Sequence, residues 1–431
     1  MLGVSLRDQM RRSPKTMIEN LTKRFWDGLQ KFGLEYDDFP TMMENVSILL
    51  RILTINIFKR ETESKLTKTQ YFFFILKFLS ADAYVIVITC LRHLHAKFQP
   101  DPSSSLRRAL IDQSVNQSFS QSVSQHDIIE TVDRFLQCDE QVLLETRFAK
   151  NLRKRLRIIK KRAIVIWILL VLDGVVYLLI PLLRPGRHIS QDLYIIYGLE
   201  PMLESPNYEV VQILINVSIG FAVYTMVNVA VYVIVVIGYN EAQIHALSEE
   251  LRNIWSESQK FYNAIKHTIE DKIHVLYIKE QIVNEFIRIR LRDIIKFHIT
   301  NINLFHELDN EFRNTLVLEY SIMSISIIAE LLGGLQNTYL QLPYTIIQVL
   351  MDCLAGQRLM DACDDFETSL YACEWENFNV SNRKTVLLML AVSQKTLALT
   401  AGGVTKLDFN CLMIILRSSY SMYTTLKSTL K

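Results

Sequence analysis

The residues whose types and spacing most clearly point to chemistry lie near the end of the chain, after Gly402 and Gly403. Polar side chains recur there at three- and four-residue steps, at Asn410, Ser418 (or Arg417), Ser421, Thr425 and Ser428. The residues that fall mostly off this helix face are apolar, namely Leu412, Ile415, Leu416, Tyr423 and Leu426. A hydroxyl-rich stripe on a membrane-length helix is what a water-filled conduction pathway needs. It also fits hydroxyl groups that bond their own backbone or hold helices together.

The composition predicts a membrane protein with several spans. The chain has 431 residues, of which 50% are hydrophobic and 21% charged, and its mean hydropathy is +0.16. The apolar residues are gathered into long blocks. A net charge of +2 gives no argument for a nucleic-acid partner, and the cysteines and histidines lack the spacing of a metal site.

Several apolar segments approach the roughly 20 residues that a helix needs to cross the bilayer core. They are residues 71–91, 163–183, 210–239, 316–335 and 339–356, followed by a terminal pair at 385–402 and 406–426. A weaker block at 46–58 contains Arg51. It predicts either a short first span or an interfacial helix before the first span, and the interfacial helix is favoured.

The basic run RFAKNLRKRLRIIKKR at residues 147–162 sets the predicted orientation. Such a run before an apolar block stays in the cytoplasm and faces anionic lipid. Followed span by span from there, the chain places residues 240–313 in the cytoplasm and the C-terminus outside. Basic residues before residue 71 favour a cytoplasmic N-terminus, which requires one more span. Either residues 46–58 supply it, or a span in the polar stretch 99–130, which includes the Ser- and Gln-rich segment 114–125, is degenerate or lost from the gene sequence.

Residues 240–313 contain no Pro or Gly and predict long cytoplasmic helices. Two apolar stripes run along them, Ile244, Leu247, Leu251 and Ile254 in one and Val283, Ile287, Leu291 and Ile294 in the other. These stripes indicate a helical bundle below the membrane that could serve as an assembly surface.

No motif in the chain supports an enzyme. GxxxxGK[ST], HExxH and GxSxG are all absent, so we expect neither catalysis nor a cofactor. Four acids fall within or at the edges of apolar blocks: Asp173, Glu319, Glu330 and Asp352. Acids inside a membrane mark functional or water-facing positions by default, although a pair or a local water pocket fits equally.

Three stretches in the C-terminal third resemble the insect odorant receptors, a family of seven-span ligand-gated cation channels. The last helix pair carries Ser393, Gln394, Gly402, Ser419, Tyr420 and Ser421. The segment before it carries Cys353, Gly356, Tyr371 and Trp375. Ahead of the fifth span lie His298, Leu304, Leu308 and Phe312. The N-terminal half matches by hydropathy alone.

The resemblance implies an all-α fold with seven spans, the N-terminus inside and the C-terminus outside. It implies an odorant-gated non-selective cation channel that forms a heterotetramer with an odorant co-receptor in the plasma membrane of olfactory neurons. The ligand would be a small volatile hydrophobic molecule. The implied regions are a cytoplasmic N-terminal part at 1–70, N-terminal spans at 71–239, cytoplasmic anchor helices at 240–313, spans at 314–356, a loop with the anchor half of the last span at 357–404, and the pore helix at 405–431.

The resemblance also implies two sets of site residues. The pore would be lined by Asn410, Ser418, Ser421, Thr425, Leu426 and Ser428, with Thr425 and Leu426 at the gate. The ligand pocket would be lined by Tyr177, Ile213, Val217, Phe221, Tyr339 and Tyr344. Such a pocket should be mostly apolar, because burial supplies most of the affinity for a volatile ligand.

Three other classes of receptor or transporter remain as alternatives. A gustatory receptor of the same superfamily should end its last span in TY, five apolar residues and QF, whereas this chain has MYTTLKST. A rhodopsin-like G-protein-coupled receptor should carry a DRY-like triplet and NPxxY, and its topology is the opposite one. A secondary transporter should show an internal repeat of broken helices, which the sequence lacks.

Overall fold

The computed structural model describes residues 38–51, 125–143, 145–183, 185–188, 201, 203–266, 275–333 and 338–429. The predicted span at 71–91 lies outside these residues. So do residues 52–58 of the weaker apolar block and residues 114–124 of the Ser- and Gln-rich segment.

The described residues are mostly helical, as the sequence predicts. The elements in chain order are α1 (Phe39–Arg51), α2 (Gln125–Glu140), α3 (Arg147–Leu183), α4 (Asn207–Ile265), α5 (Val275–Gly333), α6 (Gln341–Tyr371), a 3₁₀ turn (Trp375–Asn377), α7 (Val380–Ser393), β1 (Thr400–Ala401), β2 (Thr405–Lys406) and α8 (Phe409–Thr429). The two strands pair as an antiparallel hairpin, with Thr400 opposite Lys406 and Ala401 opposite Thr405.

Three of the described helices are long and apolar enough to cross a membrane, judged by length and composition alone. They cover Arg147–Pro181, Asn207–Ile265 and Tyr277–Gly333. The segment 210–239 lies within one of them, and the segments 163–183 and 316–335 overlap the other two up to Pro181 and Gly333, so the described parts of these segments are helical as predicted. The segment 339–356 falls in α6, which begins at Gln341.

The long helices α4 and α5 each run unbroken for 59 residues. Each combines an apolar, membrane-length part with an amphipathic part that carries one of the predicted apolar stripes. Both stripes are buried, and Ile244, Leu251 and Ile287 are fully enclosed. The packed core therefore extends from the apolar segments into the part of the molecule that the sequence assigns to the cytoplasm.

Two glycines allow α3 to lie very close to α4. A Cβ atom on Gly238 would stand 2.5 Å from Ile159 Cγ2, and one on Gly174 would stand 2.7 Å from Val223 Cγ1. Carbon atoms do not pack at such distances, so both positions depend on the missing side chain. Small residues at a helix contact are typical of helices packed within a membrane.

The short helices α1 and α2 both pack against α4 near Tyr239. The Phe39 and Tyr239 ring centroids are 4.0 Å apart, and those of Phe135 and Tyr239 are 5.9 Å apart. The Tyr239 hydroxyl donates to Asp139 Oδ1 at 3.1 Å. Helix α1 thus lies against the helical core through its apolar face. Whether it is an interfacial helix remains a prediction.

The prediction of one helix over residues 385–402 is wrong in its second half. Helix α7 ends at Ser393, and the chain then runs extended into the hairpin. The Leu407 amide donates to the Leu399 carbonyl at 2.9 Å, which extends the pairing on one side of the hairpin. The backbone groups that a helix would pair internally are therefore used across the hairpin and towards α5.

Candidate functional site

The hairpin between α7 and α8 turns at Gly402 and Gly403. Their φ angles are +64° and +72°, which side chains rarely adopt. The Val404 amide donates to the Ala401 carbonyl at 3.2 Å, which closes the turn within the three-residue loop between the strands. The Gly-Gly pair seen in the sequence therefore marks a change of direction immediately before the polar-striped helix.

Asp309 of α5 binds this hairpin. Its Oδ1 accepts from the Thr400 amide at 2.7 Å and from the Thr400 hydroxyl at 3.0 Å. One helical turn later, the Arg313 carbonyl accepts from the Gly402 amide at 3.1 Å, and the Arg313 side chain pairs with Asp309 at 3.0 Å. Because Asp309 is buried, these bonds fix the position from which α8 starts.

We expect Asp309→Ala to lower the free energy of unfolding by about 2 kcal/mol. The substitution removes the charge-assisted bonds to Thr400, so the Thr400 amide loses its acceptor. Asp309→Asn should cost less, since its carbonyl oxygen still accepts from the Thr400 amide. The measurement is thermal unfolding of the purified receptor in detergent. Equal losses in the two variants would show that the bonds to Thr400 contribute little.

Helix α8 presents its polar stripe away from the rest of the subunit. Cys411, Ile415 and Ser419 form its buried line, at steps of four residues. The predicted pore residues Asn410, Ser418, Ser421, Thr425 and Ser428 are all exposed in the isolated subunit. Leu426 differs from them, because steps of seven and eleven residues align it with Ser419 and Ile415. The two predicted gate residues therefore lie on different sides of α8.

The hydroxyl groups of this stripe donate to the helix backbone. Ser418 Oγ donates to the Ile415 carbonyl at 3.0 Å, and Thr425 Oγ1 donates to the Ser421 carbonyl at 3.0 Å. Ser428 Oγ donates to the Thr425 carbonyl at 2.7 Å. A hydroxyl that donates its hydrogen still has an oxygen able to accept. The backbone bonds that one sequence interpretation predicts are thus present, and the exposed oxygens remain suited to water or a cation.

Lys427 is held away from this polar stripe. Its Nζ lies 2.8 Å from the Tyr423 hydroxyl and 5.2 Å from the centroid of the same ring. Tyr423 lies on the side of α8 that packs against the subunit. The positive charge near the end of the helix therefore stays on its flank, where it repels a cation in front of the stripe less strongly.

Helix α6 touches the chain just before α8 through Gly356. A Cβ atom on Gly356 would stand only 2.1 Å from the Leu407 carbonyl oxygen and 2.9 Å from Leu407 Cβ. Cys353, one turn earlier on α6, is completely buried. The family-like residues Cys353 and Gly356 therefore seat the start of the striped helix.

The other family-like residues divide into buried and exposed groups. Ser393 and Ser419 are buried, whereas Tyr371, Trp375, Gln394 and Tyr420 are exposed. His298 is buried in α5, and its ring stacks on Phe366 with centroids 4.4 Å apart. Among the described residues, neither ring nitrogen has a hydrogen-bond partner. Burial lowers the pKa of His298 to about 4.

This pKa predicts that acid destabilises the folded receptor. An unfolded histidine titrates near pH 6.5, so folding is disfavoured as the pH falls below that value, by about 1.4 kcal/mol per unit until the folded pKa is reached. Above pH 6.5 His298 is neutral in both states and has no such effect. We expect the midpoint of thermal unfolding to fall more between pH 7.5 and pH 5 in the wild type than in His298→Phe. Parallel profiles would contradict the prediction.

The predicted ligand residues do not all lie together. Ile213 is 63% exposed, and Val217 and Tyr339 are each 45% exposed, so these three do not line an enclosed pocket in this subunit. Tyr177, Phe221 and Tyr344 lie inside the bundle or at its edge. Gln341 Nε2 lies 2.8 Å from the Tyr177 hydroxyl and links the start of α6 to α3.

A buried polar seam between α5 and α6 is the feature that the sequence reasoning identified only in part. On α6 it consists of Gln341, Thr345, Gln348 and Asp352, at steps of three and four residues. Thr345 Oγ1 donates to Glu330 Oε1 at 2.9 Å, and Gln348 Nε2 donates to Glu319 Oε1 at 3.3 Å. The sequence singles out the acids one by one. The three- and four-residue steps between the polar residues of α6 are the signal that predicts the seam.

Besides the Tyr320 hydroxyl, three polar atoms along this seam and beside it are buried without a hydrogen-bond partner in the described part of the chain. They are Glu330 Oε2, the Tyr344 hydroxyl and Asp352 Oδ2. Buried polar groups are normally paired, so unpaired ones indicate a position where water or a ligand could bind. Within the same residues, no group of three or more His, Cys, Asp or Glu side chains is arranged to hold a metal ion.

Long apolar helices, a polar-faced last helix and a buried polar seam define the class as a helical membrane protein with several spans. Comparison with protein families gives a more specific result, because the profile of the 7tm odorant receptor family matches residues 115–420. The chain therefore belongs to the odorant receptor family, as its resemblance predicted. Membership in this family of receptors also confirms that the chain is not an enzyme. A comparison with curated proteins found no match.

Solved structures show the same fold. The insect olfactory receptor OR5 from Machilis hrabei superposes with a TM-score of 0.58 at 11% sequence identity, over 89% of this chain and 97% of that receptor. The structure of that receptor in complex with eugenol gives a TM-score of 0.54 at 12% identity, over 90% and 97% of the two chains. At these identities the likeness establishes the fold and leaves the ligand open.

Proposed function

We propose that this chain is the ligand-binding subunit of an odorant-gated, non-selective cation channel. In this proposal it has seven spans, with the N-terminus inside and the C-terminus outside. It assembles with an odorant co-receptor into a heterotetramer in the plasma membrane of olfactory sensory neurons. The observation that carries the proposal is the exposed polar stripe of α8, which faces away from the subunit that holds it.

The stripe supports conduction for a physical reason. An exposed row of hydroxyl and amide groups on a membrane-embedded helix is unfavourable in contact with lipid, so the row is expected to face water or another subunit. In a ring of subunits, the oxygens of Ser421, Thr425 and Ser428 would face the central axis and accept from hydrated cations. Thr425 lies on this face and Leu426 does not, so partner subunits would supply the apolar side chains that close the pore.

The ligand site would lie where α3, α5 and α6 meet in the outer half of the membrane. Tyr177 and Tyr344 provide aromatic surface there, and the seam provides a few polar atoms. A mostly apolar pocket with few directional groups is the usual form of a small-molecule site. A ligand that binds the open state more tightly than the closed one would shift the channel towards opening.

Cysteine accessibility tests the pore directly. Cells that express the receptor with an odorant co-receptor are stimulated with volatile ligands, beginning with eugenol, and treated with a cationic thiol reagent. We expect the reagent to block the current of Ser421→Cys and Thr425→Cys. The wild type and Ser419→Cys, in which the new thiol faces the subunit interior, should resist it. Equal block of all variants, or of none, would count against a pore at this face.

Epitope tags test the orientation separately. A C-terminal tag should be stained by antibody on intact cells, whereas an N-terminal tag on a second version of the protein should be stained only after permeabilisation. This pattern requires an odd number of spans and therefore one more span in the N-terminal part. A hidden C-terminal tag on a receptor shown to be at the surface would contradict the proposed topology.

A further inference from the structure

A line of basic side chains runs along the exposed face of α3 directly before its apolar part. The residues of this basic line are Lys150, Arg153, Lys154, Arg157 and Lys161, and all are exposed. At 3.6 residues per turn they fall within an arc of about 100°. The five side chains therefore form one basic face of α3.

The same face continues upward as an exposed apolar line. It consists of Val165, Ile168, Leu172, Val175 and Leu179. In a helix that crosses the membrane, an exposed apolar line contacts the acyl chains of lipids. The basic line therefore ends where the acyl chains begin, at the level of the lipid headgroups.

Two other arginines of this segment, Arg147 and Arg162, turn inward and are paired. Arg162 binds Glu241 through two bonds, of 3.1 Å and 2.9 Å. Arg147 Nε donates to Glu250 at 2.8 Å. By contrast, the side chains of Lys150, Lys154 and Lys161 form no ion pair with any described residue. The charges of Arg147 and Arg162 are thus neutralised within the protein, whereas the outward lysines are left for a partner that carries negative charge.

We propose that the basic line of α3 binds the headgroup of a polyphosphorylated phosphoinositide in the cytoplasmic leaflet, with its acyl chains along the apolar line. The distance from Lys161 to Lys150 along the helix is about 16 Å. This is longer than a serine headgroup reaches, but it suits a headgroup whose phosphates project away from the membrane. Charge complementarity of this kind is the usual basis of phosphoinositide recognition. The inference rests on the orientation given under the proposed function.

Binding there would bear on the response to ligand. Helix α3 is held against α4 at Gly174 and Gly238, so a headgroup bound at its cytoplasmic end would restrain a rigid pair of helices. The same helix carries Tyr177 at the proposed ligand site. Loss of the lipid should therefore change the ligand concentration that gives half-maximal current.

The test compares two variants that lose the same charge. Lys150→Gln/Lys154→Gln/Lys161→Gln removes three positive charges from the basic line. Lys260→Gln/Arg292→Gln/Lys296→Gln removes three from exposed positions on α4 and α5, about 30 Å below the proposed membrane boundary by helical rise. The full receptor complex is purified into lipid nanodiscs, and binding of a fluorescent phosphatidylinositol bisphosphate is measured in the absence of odorant.

We expect the α3 variant to bind this lipid at least about tenfold more weakly than the wild type, since each lysine near the membrane surface contributes roughly 1 kcal/mol. The control variant should stay within about twofold of it. The single variants Lys154→Gln and Lys161→Gln should show graded losses, and they keep the test decisive if the triple variant folds poorly. Unchanged binding in the α3 variants would overturn the proposal.

Equally tight binding of phosphatidylserine at matched total charge would also overturn it, because the line would then read charge density alone. The binding measurement needs no current, so its failure is separate from a failure of the channel proposal. In cells that conduct, enzymatic removal of the headgroup phosphates should shift the half-maximal ligand concentration in the wild type and the control variant. The α3 variant should show no such shift.

Discussion

Gly356→Ala should prevent most of the receptor from reaching the cell surface. The added methyl group would stand 2.1 Å from the Leu407 carbonyl oxygen. A backbone atom cannot move aside as the end of a side chain can, so α6 and the segment before α8 would have to separate. Overpacking of a buried contact costs about 1–3 kcal/mol, and a clash with backbone belongs at the upper end of that range. Surface biotinylation and thermal unfolding of the purified protein measure the two consequences.

Gly220→Ala is the matched control for this variant. Gly220 also lies within a helix, α4, but the atom nearest to its added Cβ is Leu178 Cδ1 at 3.8 Å, an ordinary contact. Alanine is the better helix former by up to about 1 kcal/mol, so Gly220→Ala should be neutral or slightly stabilising. Similar surface levels for the two variants would show that the contact between α6 and Leu407 is not a constraint.

Glu250→Gln should destabilise the folded receptor by about 3 kcal/mol. Glu250 is only 4% exposed and binds two arginines, Arg147 with an Nε to oxygen distance of 2.8 Å and Arg290 through a short contact. Its removal leaves two partly buried positive charges with weaker compensation. Breaking a buried pair typically costs about 3–5 kcal/mol. We take the lower end because the two arginine side chains are 31% and 32% exposed.

Glu285→Gln supplies the comparison. Glu285 pairs with Arg288 in the same part of the helical bundle, but both side chains are more than half exposed. Such surface pairs contribute about 0–1 kcal/mol, so this variant should unfold close to the wild type. Adding Arg290→Gln to Glu250→Gln should restore part of the lost stability, because it removes one positive charge and leaves Glu257 to pair with Arg147. An effect of Glu250→Gln no larger than that of Glu285→Gln would contradict the assignment.

The sequence predicted those parts of the structure that follow from the period of apolar residues. The stripes through Ile244 and Ile287 are buried as expected, because an apolar stripe on one face of a helix packs against the neighbouring helices. The polar stripe of α8 is exposed in the isolated subunit, and Cys411, Ile415 and Ser419 form a separate buried line. These features depend on the helix period alone, which a single sequence displays.

The features that the sequence did not reveal depend on contacts between distant residues. The extended stretch after Ser393 is stabilised by Asp309, which lies about 90 positions earlier in the chain, and its local composition resembles that of a span. The prediction of Ile213 and Val217 as pocket residues rests on their position along a span, and this position does not determine which way a side chain points. The partners of Glu319 and Glu330 are likewise neutral residues whose role becomes visible only when α5 and α6 are brought together.

The two unbroken helices α4 and α5 have a mechanical consequence. Each is 59 residues long, or about 88 Å, and continues from the apolar region into the lower bundle without a joint. Rods of this kind tilt as a whole but do not transmit a local bend. Helix α8, in contrast, is joined to α7 by a hairpin that turns at two glycines. Because that hairpin is bonded to α5 through Thr400 and Gly402, a tilt of α5 would carry the start of the last helix with it.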